Sequence, residues 1–286
     1  MLFLLAKHCF IISIACILPQ GSRFEKCLHV FKMCYYILKE TLRMKERCSV
    51  VEKIYSIPQS VSAEYANMNQ KLSTSAIYTF FQTLAVEHAA KLGFGDTVLR
   101  PKNLIWMVVH MRTEVLRIPN YLEELSLNTW TGKSSHGLYI RHYEICAKDG
   151  EPLVRGVGTW VLVDLVDRIM RQETECEFEN IVTGKEMRSP RRLRLPELDQ
   201  EQVVSVPFGM CDVNGHLNNV RYLELVENLL PIDYLTSHTL QAADVDYLAE
   251  VLPGEDLHIQ FAQQDNVWFF QGSTDHPCFQ IRLSYQ

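Results

Sequence analysis

The strongest constraint on this chain is that it repeats itself. Residues 67–74, NMNQKLST, lie over residues 212–219, DVNGHLNN, and each stretch stands just before an apolar run of helical spacing. Further on, TEVLRIPNYLEELSL (113–127) parallels AEVLPGEDLHI (249–259), each a Glu-Val-Leu followed by proline, then acids, then a strand. A chain that carries one unit twice is expected to fold as two similar units. The unit can be read from its first copy. From Leu72 to Leu92 apolar residues recur at helical spacing (Ile77, Phe80, Phe81, Leu84, Ala85, Ala89), with Ser and Thr at the entry and Gly93 just past the end, which predicts a helix. NLIWMVVHMRTEVL, ELSLNTWTG, GLYIRHYEICA and PLVRGVGTWVLVD follow, rich in β-branched and aromatic residues and punctuated by turn formers, which predicts strands. The second copy repeats the order, with a helix expected over about Leu217 to Leu230 and strands in TLQAADVDYLAEV, EDLHIQFA, NVWFFQGST and CFQIRLSYQ. Each unit is thus α+β, a helix followed by an antiparallel sheet.

The expected boundaries are an N-terminal extension over 1–43, a first domain over 50–172, a basic linker over 173–202 and a second domain over 203–286. The extension is apolar at first, but Lys7 and His8 interrupt it and the run from Cys9 to Leu18 is short for a bilayer. No small-residue cleavage site follows, so a signal peptide or anchor is weighed against a start at Met44. With 286 residues, 47% of them hydrophobic, the chain can bury substantial cores. Its net charge of -6 argues against general affinity for nucleic acid. Nine cysteines show neither metal-ligand nor disulfide-framework spacing, which points to a reducing compartment, read as the cytoplasm.

Aligning the two copies isolates their difference. Asp212 faces Asn67, Asn214 faces Asn69 and His216 faces Lys71, so only the second copy holds an acid and a histidine together. In D-x-N-x-H the three side chains alternate along an extended loop and share one side. The helix start beyond them offers free backbone N–H groups suited to a developing oxyanion. Singly, Asp212 and Asn214 read as loop and capping residues and His216 as a surface side chain. Together with Asn218, Asn219 and Tyr222 at fixed offsets, they read as a site for acyl transfer or hydrolysis.

D-x-N-x-H-x-N-N-x-x-Y (212–222) resembles the signature of hot-dog-fold thioesterases, and a tandem pair of such units resembles the acyl-acyl carrier protein thioesterases of plants and bacteria. TWVLVDLVDRIMRQ (159–172) looks like that family's strand closing the first domain, and DVDYLAEV (244–251) like its strand leading to a catalytic glutamate. The resemblance covers roughly residues 50 to 286 and implies two tandem hot-dog domains. It further implies release of a free fatty acid from the phosphopantetheine arm of acyl carrier protein. Asp212, Asn214, His216 and Glu250 match the family's active-site set. Val251 stands where plant members often carry cysteine, which favours attack by water. Glu250 would act with His216 on that water, Asn214 would hold the carbonyl or the water, and Asp212 would orient its neighbours. Which carboxylate is the base stays open.

The first copy, without acid and histidine, would then bind the acyl chain, with Phe80, Phe81, Trp106, Met107 and Val109 as candidate lining. Ordinary core is the plainer reading of any one of them. Lys185, Arg188, Arg191, Arg192 and Arg194 crowd into a short linker stretch of an acidic protein. They form a candidate docking surface for an acidic carrier. The expected partner is an acyl carrier protein bearing a fatty acyl group. A homodimer is compatible with this reading, no stable membrane insertion is expected, and no cofactor or metal is implied. TGKSS (131–135) lacks the earlier glycine of a phosphate loop, and GVGTWV lies inside a strand run. The rivals are an acyl-CoA thioesterase of the same fold and a non-catalytic acyl-thioester binder.

Overall fold

The duplication becomes a single continuous sheet. The computed structural model describes residues 54–172, 187–188 and 191–286, so the extension over 1–43 and most of the linker lie outside the described residues. The first half runs β1 (Tyr55–Ser60), α1 (Thr74–Lys91), the short α2 (Asp96–Leu99), β2 (Leu104–Val115), β3 (Glu124–Thr131), β4 (Tyr139–Ala147), β5 (Pro152–Asp164) and the two-residue β6 (Met170–Arg171). The second runs β7 (Gln200–Ser205), α3 (Arg221–Glu227), α4 (Ile232–Ser237), β8 (Leu240–Tyr247), β9 (Asp256–Gln264), β10 (Val267–Ser273) and β11 (Pro277–Tyr285). The strand order is β1-β3-β4-β5-β2-β8-β11-β10-β9-β7, with β6 on β5. Read from either edge, the halves present the same internal order, so the repeat appears as a pseudo-twofold. At its centre β2 pairs antiparallel with β8, from His110 opposite Asp246 to Glu114 opposite Ala242. These are two tandem hot-dog units that share one sheet.

Helix α1 forms where the spacing predicts it. Ser73 caps it, its hydroxyl accepting from the Ala76 N–H at 3.2 Å, and Gly93 at φ +86 follows its end. Its buried stripe, Ile77, Phe80, Phe81, Leu84, His88, turns toward the sheet. Phe81 stacks on Tyr143 of β4 at 4.5 Å. A Cβ on Gly156 of β5 would lie 2.4 Å from the Phe81 ring, so only glycine admits that approach. The second half differs. Its helix, expected over 217–230, is only Arg221–Glu227, because an asparagine turn holds its start and Pro231 stops its run; α4 then crosses separately.

Edge strands β1 and β7 escape the sequence pattern for a physical reason. β1 contains Pro58, tolerable at an edge where an N–H has no partner to find, and β7 is mostly exposed and mostly polar. β7 also begins at Gln200, inside the stretch expected to be linker. The outer face of the central seam carries buried acids. Asp246, 1% exposed, accepts from the backbone N–H of Leu193 at 2.7 Å and lies 2.7 Å from His110 Nδ1. Asp244 bonds Arg282 beside it.

Candidate active site

The two polar loops share one backbone. Residues 66 and 72 form an isolated bridge, as do Cys211 and Leu217. Asn67 N–H donates to the Lys71 carbonyl at 2.8 Å, and Asp212 N–H to the His216 carbonyl at 2.8 Å. Asn67 Oδ1 accepts from the Asn69 N–H (3.0 Å), and Asp212 Oδ1 from the Asn214 N–H (2.8 Å). Left-handed residues, Gln70 and Gly215, occupy matching places. An Asx turn followed by a left-handed residue sets this shape in each copy. Asp212 therefore has an identifiable job in orienting its loop.

In the second copy the loop is tied to the segment after β8. Leu217 N–H donates to the Val251 carbonyl at 2.8 Å, which brings Glu250 beside the loop. His216 Nε2 lies 3.1 Å from Glu250 Oε2, and both side chains are partly buried. The first half reaches in with two arginines that sequence reasoning missed. Arg168 Nη1 donates to both Glu250 oxygens at 3.0 and 3.1 Å. It is aimed by a tight turn in which Asp164 Oδ1 accepts from the N–H groups of Val166 and Asp167, while Arg168 itself is left-handed at φ +55. Those backbone bonds hold the Asp164 carboxyl below the usual carboxylate range. Arg100, in the turn after α2, donates to Asn214 Oδ1 at 2.7 Å. An arginine can only donate, so the Asn214 oxygen must face it and its NH₂ must face elsewhere, where one N–H donates to Asp212 Oδ2 at 3.4 Å and the second remains to donate to a carbonyl. Arg100 and Arg168 had no local signal; Arg168 lies 82 positions from its carboxylate in the chain.

Beside this loop a cleft of about 510 Å³ opens between the C-terminal part of α1 and the sheet of the first half. Its walls include Ala85, Ala89, Phe94, Trp106, Tyr139 and Trp160, and its other end is made by Cys211, Asp212, Asn214, Asn218 and Asn219 of the second half. Asp212 and Asn214 thus border the cleft directly, and His216 and Glu250 stand behind them. Of the residues read as acyl lining, Trp106 faces the cleft. Phe80 and Phe81 are buried in the core, since the stripe of α1 that points at the sheet is consumed by packing, and Met107 and Val109 lie partly buried outside the cleft walls. Burial pushes the Cys211 thiol up, the Asp212 carboxylate adding to it, so it stays protonated and a poor nucleophile. Tyr222 is core, edge-on to Tyr247 and Phe279. Among the described residues no cluster of His, Cys, Asp and Glu could hold a metal. Arg188, Arg191, Arg192 and Arg194 are exposed, while Lys185 lies outside the described residues.

Comparison with known proteins agrees on one family. The family models for the acyl-ACP thioesterase N-terminal domain and C-terminal domain match residues 38–178 and 196–281. A chloroplastic palmitoyl-acyl carrier protein thioesterase of Gossypium hirsutum is 27% identical over 214 residues, covering 69% of this chain and 52% of its own. A chloroplastic oleoyl-acyl carrier protein thioesterase of Arabidopsis thaliana is 24% identical over 206 residues, covering 64% and 56%. The chain spans about half the length of the curated relatives it matches. In fold it is similar to an acyl-ACP thioesterase from Bacteroides thetaiotaomicron (TM-score 0.73, 19% identity, 82% of this chain and 98% of that one). It is equally similar to the 12:0-ACP thioesterase from Umbellularia californica (0.72, 19%, 83% and 98%).

Proposed function

Because this chain belongs to the acyl-ACP thioesterase family, we propose that it hydrolyses the thioester between a fatty acyl group and the phosphopantetheine arm of acyl carrier protein. The observation that carries the reading is the composite cleft. The first half supplies an apolar-walled slot, and the second half closes its end with Asp212 and Asn214, backed by the His216–Glu250 pair. The acyl chain enters the slot and the thioester carbonyl rests at the loop, where the Asn214 NH₂ donates to it. A water placed by His216 and Glu250 attacks the carbonyl carbon while His216 takes its proton, and the Glu250 carboxylate stabilises the imidazolium. Collapse of the tetrahedral intermediate breaks the C–S bond, and the leaving sulfur takes the proton from His216. Arg168 fixes Glu250 from the other side.

The carrier protein is the proposed partner. The linker backbone is pinned to Asp246 through Leu193, which leaves Arg191, Arg192 and Arg194 exposed for an acidic surface. Charge reversal at Arg191 and Arg192 is expected to raise KM for carrier-bound substrate and not for a small thioester. Equal effects on both would remove the docking claim. Action in the cytoplasm, homodimer formation and the lack of stable membrane insertion belong to the same proposal. Among the described residues Cys146, Cys211 and Cys278 are free, and the plant relatives are named chloroplastic. No described helix is long and apolar enough to cross a membrane. Fractionation and light scattering of the full chain check these points.

The deciding experiment is free fatty acid release from a mixture of acyl-carrier chain lengths, beside Glu250→Ala and His216→Ala. Release by the parent alone supports the reading. Tight binding without turnover would show an acyl-thioester binder, and preference for CoA-bound substrates would show the related acyl-CoA activity.

A further inference from the structure

A slot for a plain alkyl chain has no use for a buried cation, yet this one contains Arg141. The residue is 8% exposed, lies on the face of β4 that looks toward α1, and lines the cleft. Both hydrogen bonds that it makes come from Nη1, to His88 Nδ1 at 2.8 Å and to Thr129 Oγ1 at 3.3 Å. Neither partner is an acid. His88 accepts from a group that can only donate, and burial, followed by the Arg141 charge, lowers its pKa to about 3, so it is neutral. The two carboxylates that line the cleft are occupied elsewhere, Asp96 with Arg100 and Asp212 with its own loop. Arg141 therefore holds a full positive charge in a largely dry place without a counter-ion among the described residues, and its Nη2 and Nε make no hydrogen bond to them. An uncompensated buried charge is strongly destabilising in an otherwise apolar site.

The surroundings of Arg141 make it a polar pole in an aromatic slot. Thr131 stands directly opposite it across the β3–β4 ladder and lines the cleft. Gln82 of α1 also lines the cleft, and it is its NH₂, not its unpartnered Oε1, that can donate to a ligand oxygen. The walls on either side are Phe94, Trp106, Tyr139 and Trp160, and both indole N–H groups are already engaged, with the Phe94 carbonyl and the Tyr143 hydroxyl. Apart from the loop end, where Asp96, Asp212, Asn214, Asn218 and Asn219 line the cleft, Arg141 has Thr131 and Gln82 as its polar neighbours in the lining. A planar fork of N–H donors is matched by a carboxylate.

We propose that the acyl group this cleft takes carries a carboxylate at its far end, with Arg141, assisted by Thr131 and Gln82, binding that carboxylate. The proposal rests on the thioesterase reading above, and names the substrate class of the same site. It makes Arg141 a specificity-determining residue that touches substrate away from the reacting carbon, and it gives that charge a counter-ion that none of the described residues supplies.

The test compares two carrier-bound thioesters of equal length, octanoyl and suberyl, the second ending in a carboxylate, with the full chain. The expected result is kcat/KM at least tenfold higher for suberyl, and a ratio that falls at least tenfold in Arg141→Met. Gln82→Leu, at a partly exposed position that folding does not depend on in the same way, should lower the ratio several-fold and serves if Arg141→Met does not fold. A wild-type preference for octanoyl, or a ratio untouched by the variants, would overturn the proposal. Calorimetric binding of free suberate separates the two readings. Suberate binding that needs Arg141 in a chain that hydrolyses neither thioester keeps the carboxylate site and removes the hydrolase. Octanoyl hydrolysis without suberate binding does the reverse.

Discussion

The loops at 67–74 and 212–219 have one backbone and opposite fates. Each crosses to the other half. Asn69 Nδ2 donates to the Leu235 carbonyl of α4, and Asn214 Oδ1 accepts from Arg100 beyond α2. What each meets there differs. Beside the second loop lies the open slot under α1. Beside the first lies α4, whose Tyr234 stacks on His238 and packs edge-on against Trp268 and Tyr285. The half that carries the proposed acid and histidine has aromatic packing where its counterpart has an open slot, and the half with the slot carries neither of those residues in its loop. A scaffold fixed by hydrogen bonds between backbone and Asx side chain leaves the remaining side chains free to diverge, and in the proposed mechanism they divide one task between them.

The comparison breaks most plainly if the acid and histidine prove dispensable. Glu250→Ala and His216→Ala should each lower kcat on acyl-carrier substrate by about a hundredfold or more with little change in KM. Full turnover by either variant would mean that the second loop is special for some other reason. Next in size is the seam that lets each half reach the other. Asp246→Ala strands the Leu193 N–H and the His110 ring, and should cost about 2–3 kcal/mol in urea unfolding. A negligible loss would show that the halves dock without it. Arg168→Ala should lower kcat about tenfold, the worth of a charge-assisted pair, with partial recovery in Arg168→Lys. A change confined to KM would make Arg168 a substrate contact instead of a clamp on Glu250.

His88 gives the first half a signature in pH. His88 has a depressed pKa in the fold, so the unfolded chain binds more protons between about pH 6.5 and 3. Stability from this group is whole above pH 6.5 and declines as pH falls through that window. Melting temperatures across it should fall toward acid, with a gentler slope in His88→Phe. The smallest effect is the most pointed. Asn67→Asp with Lys71→His restores the residue types of the second loop to the first, and should add no detectable activity to a Glu250→Ala background, because α4 blocks the space beside it. Any gain would show that loop chemistry alone makes a site.

Much of this was legible in the sequence because it was local or repeated. The helix over Leu72–Leu92 and the eight inner strands follow from spacing, and the residue types of D-x-N-x-H single out Asp212, Asn214 and His216, although the loop is a tight turn about Gly215 and not the extended alternating stretch expected. Glu250 came only through the resemblance of DVDYLAEV (244–251) to the family, since the repeated Glu-Val-Leu marks Glu114 equally. Arg100, Arg141 and Arg168 were not legible, since nothing near them in the chain announces a partner so distant in sequence. Phe80 and Phe81 show the converse limit. Apolar spacing marks the buried face of α1 but cannot tell the stripe spent on the sheet from the side that borders the cleft. The truncated second helix was set by Pro231 together with an asparagine turn, a pair of local signals weaker than the apolar run around them.

The β2–β8 seam also dictates an order of events during synthesis. His110 and Asp246 are 136 positions apart, so the first half leaves the ribosome with the strands that α1 packs on in hand, while Thr74 still waits for Glu227 and the β8-facing edge of β2 has no partner. Pairings this distant close slowly, and an open strand edge recruits whatever edge is nearest. The nascent chain is most exposed to joining a neighbouring copy in that interval, and rapid translation, by crowding such half-made chains together, works against the yield of correctly closed protein.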